Sequence, residues 1–172
     1  DDRKHDGLFL GRPISDNLSS AALKRISTWG VRSDRSELEM VTENAVKFTV
    51  DPARLPQEAG VLSGGNQQKV ALAKWLAIHP DIILVNEPTR GVDVGARAEI
   101  YQKLRELADE GAAIVVASTD IQEITNLPDR VITIYRGIQV GEIAFEDMTA
   151  AAILKEITDP FDETGLHEGQ MA

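Results

Sequence analysis

The sequence predicts an α/β fold built on a parallel βαβ core, and three observations predict it. DIILVNE (residues 81–87) and AAIVVAST (112–119) are short runs of mostly apolar residues, too apolar to face water on either side. The stretch after the first run, VGARAEIYQKLRELADEG (94–111), places Ile100, Leu104, Leu107 and Ala108 on one face of a helix. A strand, a crossover helix and a second strand make the two strands parallel. RVITIYRGIQVGEIAF (130–145) adds an antiparallel hairpin that turns at Arg136-Gly137.

The remaining elements follow in chain order. ISDNLSSAALKRIST (14–28) reads as a helix, with Asp16 or Asn17 placed to cap it. SELEMVTENAVKFTV (36–50) repeats apolar residues at Leu38, Val41, Ala45 and Phe48, a helical spacing. DPARLPQEAG (51–60) is a loop punctuated by Pro52, Pro56 and Gly60, and no strand is expected before it. NQQKVALAKWLAIHP (66–80) is a helix that stops at Pro80. Asp93 stands where a cap belongs on the next helix, and Gly111 where a terminating glycine belongs. TAAAILKEIT (149–158) is a last helix capped by Thr149, and DPFDETGLHEGQMA (159–172) is an acidic, polar end expected to fray. There is no internal repeat and no low-complexity tract.

Composition narrows the function classes. A chain of 172 residues can bury a proper core, and 42% apolar with 27% charged residues is ordinary for a globular protein. No apolar run approaches the roughly 18 residues of a membrane span, and the polar start DDRKHDG gives no expectation of a secretory signal. With no cysteine, disulfides and thiolate metal sites are excluded. A net charge of -10 leaves no basic stripe for phosphates, so nucleic acid is not an expected partner.

Two stretches carry chemistry. IILVNEPTRG (82–91) delivers Asn86 and Glu87 to the carboxyl end of a strand, where α/β proteins keep their ligands. In VLSGGNQQKVALAKWL (61–76), Ser63-Gly64-Gly65 immediately precedes a helix. A hydroxyl and several backbone N–H groups then point out of a positive helix end, and two glycines let that backbone approach an anion closely. Taken alone, LSGG could also be a loop that merely turns the chain into a helix. Its pairing with Glu87-Pro88-Thr89 and Asp93 disfavours that reading.

LSGGNQQ, the strand ending in EPT, the Asp loop and a strand ending in Ser-Thr-Asp together resemble the nucleotide-binding domain of ABC ATPases. The resemblance extends over almost the whole chain. DRKHDGLFLG, VLSGGNQQK, EPTRGVDVGARAEIY and the hairpin DRV…GEI are similar to the second half of the double-domain ATPases of bacterial ribose- and galactose-type importers. The resemblance implies an ABC-type domain fragment with a helical subdomain at about 12–56, a signature, Walker B and switch-loop core at 57–158, and a flexible tail at 159–172. It implies that Leu62, Ser63, Gly64, Gly65, Asn66 and Gln67 form a signature loop whose Ser63, Gly64 and Gly65 hold the γ-phosphate of a partner half's ATP. Asn86 then ends the Walker B strand, Glu87 polarises the attacking water, and Asp93 belongs to the loop that crosses the dimer interface. Asp1 falls near the end of a γ-phosphate-sensing loop. ATP and Mg²⁺ are the implied cofactors of the complete transporter. The implied partners are an N-terminal or second ATPase half, a transmembrane permease that meets residues 14–50 and, indirectly, a periplasmic sugar-binding protein. The implied location is the cytoplasmic face of the bacterial inner membrane, held peripherally.

The chain also departs from that pattern. It contains no G-x-x-x-x-G-K-[ST], the loop that wraps β- and γ-phosphates. Asn86 stands where the family has an aspartate for the waters on Mg²⁺. Thr119 stands where most members carry a switch histidine, and a hydroxyl can touch a γ-phosphate without taking the histidine's protonated role. Of the three histidines, His5, His79 and His167, none lies there, and His79 is placed to meet a helix dipole. Asn86 admits two readings, weakened metal binding or relief of a buried carboxylate with no metal beside it. Trp29 and Trp75 read as core or interface residues. The leading expectation is an ATP-binding half of a sugar importer whose own site has lost its chemistry while its signature loop serves the other half. A non-catalytic remnant of such a domain, or an ABC ATPase outside transport, remains the alternative.

Overall fold

A computed structural model describes residues 7–158, so the expectations for Asp1, His5, His167 and the tail 159–172 lie outside the described residues. The chain divides into two compact units, Asp1–Ala117 and Ser118–Ala172.

The first unit opens with α1 (Ile14–Ser19), shorter than expected and without a side-chain cap. Asp16 instead pairs with Arg12 at 3.3 Å. The Asn17 amide is fully buried, accepting from the Phe9 N–H at 2.8 Å and donating to the carbonyls of Phe9 and Pro13. The helix stops where serines begin to compete for its carbonyls, and Ser20 Oγ donates to Asn17 O at 2.8 Å. A two-stranded ribbon follows, β1 (Ser27–Thr28) with β2 (Val31–Arg32), joined by Trp29 and Gly30 at φ 53° and 80°. Positive φ at both central residues is the turn that suits antiparallel strands. This ribbon corrects the expectation of no strand before residue 60; two-residue strands are too short to show alternation. Trp29 is 99% exposed and Trp75 56% exposed, so neither is a core residue.

Ser33 caps α2 (Asp34–Lys47) by accepting from Ser36 N. Val41, Ala45 and Phe48 are buried as their spacing predicts, but Leu38 is exposed, because no part of α2 before Val41 reaches the core. Short 3-10 turns at Pro52–Arg54 and Ala59–Val61 occupy the expected loop. Next, α3 (Gly64–Leu76) begins two residues earlier than NQQ would suggest, because Ser63 is its cap. It ends short of Pro80, and the chain leaves through His79 at φ 49°.

The βαβ unit is present. β3 (Ile82–Asn86) pairs in parallel with β4 (Ala113–Ala117), with Ile82 opposite Ala113 and Asn86 opposite Ala117. Between them runs α4 (Val94–Asp109), which buries Ile100, Leu104 and Leu107 and ends toward Gly111 at φ 105°. Among the described residues only one face of these strands is covered. Ile83 and Val85 are buried, whereas Ile82, Leu84 and Val115 are more than half exposed on the opposite face. The expected burial on both faces is thereby corrected: a two-stranded sheet with one crossover helix covers a single side.

The second unit holds α5 (Ile121–Asn126), which the sequence pattern did not mark and which Asp120 caps through Gln122 N at 2.9 Å. Its hairpin pairs β5 (Arg130–Tyr135) with β6 (Ile138–Ala144), and Arg136 and Gly137 turn it at φ 49° and 84°. The last helix, α6 (Ala150–Thr158), is capped by Thr149, which accepts from Ala152 N at 3.1 Å. Val131, Ile143 and Ile153 form this unit's core, with Ile121, Ile124 and Met148 packed against them.

Candidate functional site

The site is built from two helix beginnings. Ser63 has extended backbone and accepts, through Oγ, from Asn66 N at 3.4 Å. Ser63 is exposed, Gly64 half-buried and Gly65 buried. Asp93 repeats the device on α4, accepting from Ala96 N at 3.0 Å. Serine and aspartate are used because their short acceptors reach the N–H groups that a helix start leaves without intrahelical partners.

These two helix beginnings lie against each other. A Cβ placed on Gly65 would stand 2.6 Å from the Ala96 Cβ and 3.4 Å from Asp93 Oδ2. Real carbon atoms do not approach so closely, so Gly65 must be glycine for a reason internal to the chain. The positive ends of α3 and α4 therefore converge beside the Asp93 carboxylate. Behind them, Gln67 is buried and its Nε2 donates to the carbonyls of Ala59 and Leu62 at 3.4 and 3.2 Å. This amide ties down the chain just before Ser63, and Leu62 itself is buried. Of the expected signature residues, then, Ser63 is the exposed one with a side chain, while Leu62, Gly65 and Gln67 are fixed inside.

A second link joins the same helices deeper in. Lys69, 7% exposed, donates through its ammonium to Glu99 Oε2 of α4 and, at 3.1 Å, to Thr49 Oγ1. Hydrogen bonds from Lys69 and then Thr49 hold the Glu99 carboxyl below the usual carboxylate range. Sequence reasoning missed this trio; its only signal is a lysine set directly before the apolar run Val70-Ala71-Leu72-Ala73 of α3. Lys74, also buried, donates to Gly7 O at 2.7 Å, and desolvation pushes its ammonium down from the usual lysine value.

Asn86 ends β3 and Glu87 follows it. The Glu87 N–H prolongs the parallel ladder by donating to Ala117 O at 2.8 Å, with φ at 50°. A non-glycine residue in that region is strained, a state found where surroundings over-determine a site. Asn86 is exposed on the open face of the sheet and Glu87 is half-buried. Pro88 and Thr89 are buried after them, and the chain turns through Arg90 N to Glu87 O and Val92 N to Thr89 O before reaching Asp93. The donor set ending β3 is one carboxylate and one amide, and no group of three or more His, Cys, Asp or Glu that could hold a metal exists among the described residues. Thr119 is exposed in the second unit, in the turn ahead of α5.

This geometry suits an anion met from outside by Ser63 and the N terminus of α3. The sequence model of the family described as "ABC transporter" matches residues 5–90, half of the chain. The chain belongs to the ABC transporter family. Among curated ABC relatives, a protein named ribose import ATP-binding protein from Mesorhizobium japonicum is 44% identical over 90% of this chain and 30% of its own length. A putative ribose/galactose/methyl galactoside import ATP-binding protein from Geobacillus kaustophilus is 40% identical over 95% of this chain and 33% of its own. This ABC chain thus spans about a third of the length of the curated relatives it matches. Among solved structures, a dimeric ATP-binding cassette bound to ADP and Pi aligns with TM-score 0.68 and 26% identity, over 80% of this chain and 59% of that one. The cbiO1 component of a Clostridium perfringens ABC transporter aligns with TM-score 0.71 at 18% identity, over 92% of this chain and 60% of that one, and shows the shared fold.

Proposed function

We propose that this chain is the ATP-binding portion of a bacterial sugar importer and lends its signature loop to ATP held by a second ATPase half. The observation that carries the reading is the convergence of the α3 and α4 N termini, with an exposed Ser63 on one and Asp93 on the other. Two helix N termini lying side by side are a low-cost receptor for a γ-phosphate, because their N–H groups and positive dipole ends are held together in the fold. Sugar import follows the names of relatives about 40 to 45% identical to this chain.

In this reading the ligand enters from the partner half. Ser63 Oγ and the first N–H groups of α3, from Gly64 and Gly65, contact its terminal phosphate; Asn66, Gln67 and Leu62 shape the loop. Asp93 reaches across the interface. ATP with Mg²⁺ supplies the phosphoryl chemistry when bound, chiefly through positioning and charge stabilisation. The same reading gives Glu87 the role of orienting a water for this chain's own chemistry, with Asn86 standing in for the metal-clamp aspartate and Thr119 for the γ-phosphate-sensing histidine, so that both functions are weak. A permease meets the helices of residues 14–50, a periplasmic sugar-binding protein acts through that permease, and the assembly sits at the cytoplasmic face of the membrane.

The test uses the absence of cysteine in this chain. A single Ser63→Cys substitution in the assembled transporter is labelled with a maleimide, and modification of this residue is followed by mass spectrometry. ATP under non-hydrolysing conditions should slow labelling strongly in the assembly and leave it unchanged in the isolated chain. Labelling that ignores ATP in the assembly would refute the reading.

A further inference from the structure

Lys69 occupies a position that the ATP sandwich does not account for. It is a cation 7% exposed, on the helix that begins at the signature loop, and its ammonium is committed to Glu99 and Thr49 of the same chain. A buried lysine is retained only with partners that repay its desolvation. Its geometry is what gives the pair a role.

Lys69 follows Gly64, the first residue of α3, by five positions, and Glu99 follows Val94, the first residue of α4, by five. At a rise of about 1.5 Å per residue, both lie about 7.5 Å below the two N termini. The helices thus touch at two levels, Gly65 against Ala96 at the mouth and Lys69 against Glu99 beneath it. One contact would leave a pivot; two at different depths fix the angle between the helices. Thr49 completes the node from the end of α2. Its hydroxyl lies 2.9 Å from Glu99 Oε2 and accepts from Lys69, and its backbone is held at φ 53°. For a β-branched residue that conformation is an outlier, maintained by the contacts around it.

We infer that Lys69 and Glu99 are positioning residues that set the signature loop and Asp93 in register for the closed ATP sandwich. The inference rests on the function proposed above. Neither side chain touches nucleotide; each acts through the helix end above it. Small misplacements of a positioned group are expensive, about a hundredfold per ångström in unfavourable cases. The loss falls on turnover, since only the closed state uses the signature loop, while ATP binding to the other half's phosphate loop is made without it.

The experiment uses the full-length ATPase assembled with its permease and compares five variants. Glu99→Gln and Lys69→Met remove the ion pair, and Lys69→Arg preserves it. Glu110→Gln breaks the exposed Lys47–Glu110 pair, which also links the end of α2 to α4 but far from the N termini. Ser63→Asp tests the underlying reading. Turnover, ATP affinity without Mg²⁺ and melting temperature are measured for each. Glu99→Gln and Lys69→Met should lower turnover about tenfold with affinity held within about twofold. Lys69→Arg should recover most of that loss, and Glu110→Gln should leave turnover unchanged. If Lys69→Met does not assemble, Glu99→Gln decides, because its side chain is 49% exposed. Native turnover in Glu99→Gln beside an inactive Ser63→Asp overturns the positioning role and leaves the function standing. Native turnover in Ser63→Asp overturns the function itself. Turnover that falls only in step with melting temperature, Glu110→Gln included, reduces the pair to a structural prop and also overturns the inference.

Discussion

Gly65, in the proposed signature loop, rests directly on Ala96 of the helix that follows Asp93, leaving no room for a side chain between them: a Cβ there would be 2.6 Å from the alanine methyl. The glycine that sequence reasoning assigned to close approach of an anion is required first by the chain's own packing. In the proposed function both demands fall on this one residue, since the contact that excludes a Cβ also holds the two helix N termini together.

Gly65→Ala should therefore destabilise the protein by about 1–3 kcal/mol through overpacking. Ala96→Gly in the same chain opens the space and should return most of that loss, less about 1 kcal/mol for glycine inside a helix. Thermal unfolding of the two single variants and the double variant checks this. Additive losses in the double variant would mean that the contact is not the cause.

The Lys69–Glu99 link gives a pH dependence with a definite sign. The Glu99 carboxyl is held below its ordinary range by bonds from Lys69 and Thr49. A group whose folded pKa is depressed contributes stability above its unfolded pKa, and that contribution is lost as pH falls through the folded value. The melting-temperature gap between the native protein and Glu99→Gln should be full near neutral pH and should shrink in the acid range, below the ordinary carboxylate pKa. A gap that stays constant to acid pH would show that charge on Glu99 is irrelevant.

Asn86→Asp should tighten Mg·ATP binding at this half's own site in full-length protein, without restoring turnover there. The gain is bounded by about 4 kcal/mol for unit charges 4 Å apart at an effective dielectric near 20, and exposure of Asn86 makes it a fraction of that. Turnover still lacks a γ-phosphate sensor, because Thr119 cannot take a protonated role, and parts that act as a unit are not restored singly. Binding and hydrolysis are compared with the other site disabled. Hydrolysis recovered by this one substitution would show that Thr119 suffices.

What could be read in the sequence is what is local. Asp93 and Thr149 cap because an acceptor three residues before an N–H is a chain-neighbour relation, and Arg136-Gly137 turns because glycine tolerates positive φ. The parallel pairing of residues 82–86 with 113–117 was legible for another reason: two apolar runs joined by one crossover helix admit no other direction. Relations between distant residues were not legible. Lys69 and Glu99 are 30 positions apart, and nothing in either neighbourhood names the other. Trp29 turns a ribbon although tryptophan is not a turn residue, so its exposure was invisible. Ile82 and Leu84 look like core by composition, yet they line an open face, because burial depends on what lies above a sheet and a strand's sequence reports only its own apolarity.

The central claim, that this signature loop serves ATP held by another half, is tested most directly by Ser63→Asp in the assembled transporter. Aspartate keeps the N-cap acceptor and favours the positive end of α3, so the fold should be as stable as the native one or slightly more so. Its carboxylate would sit where the γ-phosphate must approach, and like charges at that distance repel. The account predicts ATP turnover reduced by about a hundredfold or more, in the range of losing one preorganised donor, with an unchanged or raised melting temperature. Native turnover from a correctly folded Ser63→Asp transporter would contradict it.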